Sequence, residues 1–174
     1  LADSERAALR RHRGHLELSF APQTRPSVHT ARFAARALLL LLARPKTLGY
    51  APGSTMVYHP AGASTPDPAL STKDLQALFV DLIESPVPGG RVLHTVGLEV
   101  VGLPDLRIRL TSGRGEKTCR TLLRHAVDIL LAGGKPPAGD THLELPGPVV
   151  LDVRRVDRPR HPAGRFGMLE LTPR

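Results

Sequence analysis

Residues 117–131 constrain the fold more than any other stretch of the chain. Cys119, Leu122, Leu123, Ala126, Val127 and Leu130 recur at helical spacing, while Lys117, Arg120, Arg124 and Asp128 fill the other side. That pattern predicts a helix over Lys117–Leu131 whose apolar stripe needs a second element to cover it. Gly133 and Gly134 follow where a left-handed residue closes a helix. Just upstream, Leu106-Arg107-Ile108-Arg109-Leu110 alternates apolar and charged residues, the period of a half-buried strand. A chain that changes period so quickly is neither all-helical nor all-β.

The remaining pattern extends this reading. Leu16, Leu18 and Phe20 alternate as in a strand, and Pro22 and Pro26 end it. Val28–Ala43 reads as a helix with a polar stripe of His29, Arg32 and Arg36, stopped by Pro45. Its run Leu38 to Leu42 covers every face, so Leu39 and Leu40 fall beside the arginines. Thr55–His59 reads as a strand, 60–68 as a loop, and Ser71–Ser85 as a helix opened by a Ser71/Asp74 capping box. Leu75, Leu78, Phe79, Leu82 and Ile83 form the apolar face of that helix, and Pro86 and Pro88 stop it. Arg91–Val101, Thr141–Leu145, Val149–Val156 and Phe166–Leu171 read as strands.

The expected fold is α+β, a mainly antiparallel sheet with helices packed on one face. The order strand, helix, strand occurs twice, from Leu16 and again from Leu106, as in a duplicated βαβ, ferredoxin-like arrangement. At 174 residues the chain fits one domain, read as 14–174 behind an arm or short helix over 1–13. Leu1 in place of an initiator Met reads as a trimmed amino terminus.

Composition narrows the chemistry. Cys119 is the one cysteine, which excludes a disulfide scaffold and a multi-cysteine zinc module and favours a reducing, cytoplasmic setting. The apolar run Ala37 to Ala43 is too short to cross a bilayer. The net charge of +8 is unevenly placed. Residues 1–46 hold nine bases and three acids, 47–105 two bases and six acids, and 106–174 thirteen bases and seven acids. Basic ends around an acidic middle suit a surface that orients a charged partner. A genome rich in arginine codons would leave the same record.

Catalytic signatures are missing. His15-Leu-Glu17 and His142-Leu-Glu144 mimic the HxE element of zinc deaminases without its paired cysteines, and strand alternation accounts for both. Thr111 to Thr118 places Gly, Lys and Thr before a helix, yet its spacing is not that of a phosphate loop and Glu116 would repel phosphate. Cys119 sits on the apolar face as a core thiol. His29, His59 and His94 lack the spacing of a metal set, so neither a metal nor a cofactor is expected. Nucleic acid suits the charge, through Arg32, Arg36, Arg120, Arg124, Arg154 and Arg155. With four Phe, two Tyr and no Trp, single-strand stacking is poorly supplied.

The stretch Thr95-Val-Gly97-Leu98-Glu99-Val-Val-Gly102-Leu103-Pro104-Asp105-Leu106 resembles the signature of the bacterial domain-of-unknown-function family 4261. Gly139-Asp140-Thr141 and Val57-Tyr58 are also similar, although His59 stands where members often carry a tryptophan. The resemblance implies a bacterial domain, brings no activity or site residues, and suggests a setting near secretion or toxin–immunity systems. Together these readings give a non-enzymatic domain that binds another protein or itself. The candidate interface is Arg32, Arg36, Leu39, Leu40, Arg120 and Arg124. The alternatives are an arginine-rich nucleic-acid binder, and an enzyme built from His94, Glu99 or Asp140.

Overall fold

The computed structural model describes residues 6–7, 10–11, 27–42, 49–50, 57–58, 70–111, 115–133, 141–156 and 167–174. The strand read at Leu16–Phe20, the loop 60–68 and the turn 158–162 lie outside them. Helices are α1 (Val28–Leu42), α2 (Thr72–Phe79) and α3 (Glu116–Leu131). Strands β1 (Gly49–Tyr50) and β2 (Val57–Tyr58) pair as a short antiparallel ribbon. Strands β3 (Asp81–Val87), β4 (Gly90–Val96), β5 (Asp105–Leu110), β6 (Thr141–Glu144), β7 (Val150–Val156) and β8 (Met168–Pro173) form one sheet. Its order is β3-β4-β5-β8-β7-β6, antiparallel except where β5 and β8 meet. The fold is α+β.

Helix α3 explains why the sheet holds together. All six residues of its predicted stripe are buried, and the helix packs on β4 and β5. Facing it are Leu93, Leu106, Ile108, Leu151, Val153, Leu169 and Leu171, members of the same core cluster. Each such side chain contributes about 1.5–3 kcal/mol relative to exposure. Helix α2 packs on α3, and α1 packs on α2 and on a 3-10 turn at Leu98–Val101.

Two sequence expectations are corrected. The helix read as Ser71–Ser85 ends at Phe79, so Leu82 and Ile83 lie in β3. Its start is as expected: the Ser71 hydroxyl accepts from Asp74 N–H, and Asp74 accepts from Ser71 N–H at 2.8 Å. The Ser71 hydroxyl, which donates to Asp74 Oδ2 at 2.6 Å, and then the Ser71 N–H hold the Asp74 carboxyl below its ordinary value. Downstream, Pro88-Gly89 turns the chain into a hairpin, with Gly89 at φ +80° in the left-handed region that favours glycine. The resulting β3–β4 pairing overrides local helix preference. The strand read as Arg91–Val101 stops at Val96, because Gly97 at φ +109° and Gly102 at φ +79° enclose the 3-10 turn.

Among the described residues strand β3 is an edge, and its chemistry suits one. Leu82 N–H donates to Asp81 Oδ1 at 2.8 Å, which marks it as an outward-facing amide. Pro86 stands four residues on, in the same phase, where its missing N–H costs the ladder nothing. Two outward positions are thereby closed to strand addition.

The first expected βαβ unit begins on Leu16–Phe20, outside the described residues, and the described residues repeat a larger unit. A helix followed by a three-stranded meander occurs as α2-β3-β4-β5 and again as α3-β6-β7-β8. Strands β5 and β6, the two ends of the second expected βαβ unit, are separated by β8 and β7.

Candidate functional site

The sequence-derived interface residues separate by burial. Phe33 and Leu40 on α1 are each 60% exposed, whereas Leu39 is half-buried and packs on the core. His29, Phe33, Arg36 and Leu40, all exposed, fall within about 60° of arc at 100° per residue. Arg32 lies off this stripe, half-buried, with its Nε buried and unpaired among the described residues. Arg36 and Leu40 are thus brought together, Arg32 and Leu39 are turned away, and Phe33 is the member the sequence reading missed. Its signal was the i, i+7 spacing to Leu40.

On α3, Arg120 donates from Nε to Glu116 Oε1 at 2.7 Å, while Arg124 is exposed. The two arginine pairs belong to helices that each pack on α2. Arg154 and Arg155 point to opposite faces of β7, Arg154 opposite Glu170 and Arg155 opposite Leu169. The arginines invoked for nucleic acid therefore spread over two helices and both faces of the sheet.

A second polar constellation occupies the sheet face away from α3. Arg107 donates to Glu170 Oε2 at 2.8 Å, and Arg109 Nε donates to Oε1 of the same carboxylate at 3.1 Å. Parallel pairing of β5 with β8 sets Arg107 opposite Glu170. One row along, Arg174 Nε donates to Asp152 Oδ1 at 2.7 Å, and His142 Nδ1 stands 2.8 Å from that oxygen. Val92, His94 and Met168 are buried on this same face, so its polar part is bounded.

Burial works to raise the Glu170 carboxyl, but the Arg107 and Arg109 guanidiniums outweigh it, so the group titrates below its ordinary 4.5. A depressed folded value stabilises the fold above the unfolded carboxylate range, and this contribution is lost as pH falls through the folded value. Glu170→Gln is expected to be less stable than the parent at pH 7. The difference should narrow below pH 4.5, as measured by urea unfolding across pH.

No family model, curated protein or solved structure matches the chain.

The other candidates take structural places. Thr95 and Asp105 are buried and bonded to each other, Oγ1 to Oδ1 at 2.9 Å. Cys119 is buried in the core, and Glu99 is half-buried in the 3-10 turn. Asp140, His59, His15 and Glu17 lie outside the described residues. Residues 112–114 of the glycine loop do too, and α3 opens on Gly115 with no side-chain cap. Among the described residues no three His, Cys, Asp or Glu side chains gather as a metal set. No helix among them is long and apolar enough to cross a membrane.

Proposed function

We propose that this chain is a non-enzymatic interaction domain that engages another polypeptide through the exposed stripe of α1, and that it belongs with the bacterial family its signature resembles. One observation carries the reading: Phe33 and Leu40, each 60% exposed, lie on one face of a fully formed helix with Arg36 between them. Large exposed apolar side chains around an arginine are the composition of an interface centre. Helix α1 has no acidic residue, so the stripe favours a partner surface that offers carboxylates beside an apolar patch.

The test compares three variants in affinity capture from the source cell after nuclease treatment. Phe33→Asp and Leu40→Asp should each lose a specific polypeptide that the parent retains, with circular dichroism unchanged in both and Tm unchanged in Leu40→Asp. Leu39→Asp should lower stability by about 2 kcal/mol or more, because it places a charge against the core. Retention unaffected by the first two variants would remove the stripe from the interface. Retention abolished by nuclease would move the function to nucleic acid.

A further inference from the structure

On the sheet face opposite α3, the patch around Glu170 carries more positive charge than that carboxylate balances. Arg107, Arg109 and Arg154 lie on β5 and β7 around Glu170 on the strand between them. Glu170 already accepts from two of the three guanidiniums. Arg154, directly opposite Glu170, is exposed and makes no ion pair among the described residues. The neighbouring Asp152 is matched by Arg174, so it does not neutralise the excess.

The donors that remain lie on three adjacent strands of this face. Arg109 spends its Nε on Glu170, on a side chain 57% exposed. Thr172 adds an exposed hydroxyl two residues beyond Glu170, on the same face of β8. Beneath them, Arg107 is 15% exposed and its buried Nε has no acceptor among the described residues. A buried donor without a partner is costly unless something accepts from it. Arg109, level with Thr172, and Arg154, level with Glu170, flank β8 on a diagonal of roughly 12 Å, two strand spacings across and two residues along, a gap that two arginine side chains close over one ligand.

The geometry points to a phosphate-monoester site on this face, held between Arg109 and Arg154 above Glu170. Charge selects the ligand class. Three guanidiniums less one carboxylate leave two positive charges, which a phosphate monoester of nearly two negative charges balances and a single carboxylate does not. The site goes beyond the α1 interface and does not depend on it.

Calorimetric titration of the full chain with phenyl phosphate and with benzoate, at matched ionic strength, tests the assignment. Phenyl phosphate should bind saturably and at least about tenfold tighter than benzoate. Arg154→Gln should weaken it about tenfold or more. Arg155→Gln, one residue on and facing the other way, should leave it within about twofold. Inorganic phosphate should compete, which separates recognition of the phosphate from recognition of the ring. Circular dichroism of each variant confirms the fold. Absence of saturable binding, equal affinity for benzoate, or equal weakening by Arg154→Gln and Arg155→Gln overturns the site, the last because it would reveal diffuse charge.

Discussion

Gly97→Ala is expected to destabilise the fold by about 3 kcal/mol or more, read as a lower urea midpoint with an unchanged slope. Two costs act together. At φ +109° the backbone of Gly97 lies where a side chain is strained, about 1–2 kcal/mol for an L-residue in left-handed space. The added Cβ would also run into the Phe79 carbonyl, the last residue of α2, which is backbone and gives way poorly. Relief requires α2 to move off the sheet, and Phe79 and Leu75 are buried in the core. Gly89→Ala is the comparison that isolates strain, since Gly89 shares the positive φ and a Cβ there would meet nothing within 4 Å. It should cost about 1–2 kcal/mol.

What was legible in the sequence depended on how local the cause was. Helix α3 was fully readable, face by face, because one apolar stripe on one helix decides its burial. The Ser71/Asp74 cap was readable for the same reason, being made within four residues. The end of α2 was not. Val80-Asp81-Leu82-Ile83 and Val127-Asp128-Ile129-Leu130 are near-identical words, yet the first opens a strand and the second ends a helix. The difference lies outside the words, in the Pro88-Gly89 turn that delivers β4 alongside β3. The same signal exposes the real repeat. Pro88-Gly89 precedes Val92-Leu93, and Pro146-Gly147 precedes Val150-Leu151 with identical spacing. Each pair joins the first two strands of a meander. The phosphate-site candidate was hidden for another reason. Arg107 and Glu170 are 63 residues apart, and only parallel pairing of β5 with β8 makes them neighbours. On α1, both Leu39 and Leu40 sat beside the arginine stripe, but which of them faces the core depends on α2 and the 3-10 turn.

The family-like signature from Thr95 to Leu106 now has a physical meaning, and Asp105→Ala tests it. The Asp105 carboxylate accepts from Thr95 Oγ1 at 2.9 Å and from Leu98 N–H at 3.3 Å, while Thr95 Oγ1 accepts from Leu106 N–H at 2.8 Å. Thr95 lies near the end of β4, Leu98 opens the 3-10 turn and Leu106 lies in β5, so one carboxylate ties together all three pieces of the connection. Removing it leaves the Thr95 hydroxyl and the Leu98 amide buried without their acceptor. Each orphaned donor costs about 1–3 kcal/mol, so Asp105→Ala should lower stability by about 3 kcal/mol. Thr95→Val, which deletes the hydroxyl but keeps the shape, should cost less than Asp105→Ala, because it orphans one donor, the Leu106 N–H, where Asp105→Ala orphans two, and Asp105 retains the Leu98 bond. The double variant should cost less than the sum of the two, since Thr95→Val has already removed the donor that Asp105→Ala would orphan. Strict additivity in urea unfolding would show that the two side chains act independently. The signature's polar residues would then be unconnected, and its glycines alone would shape the turn.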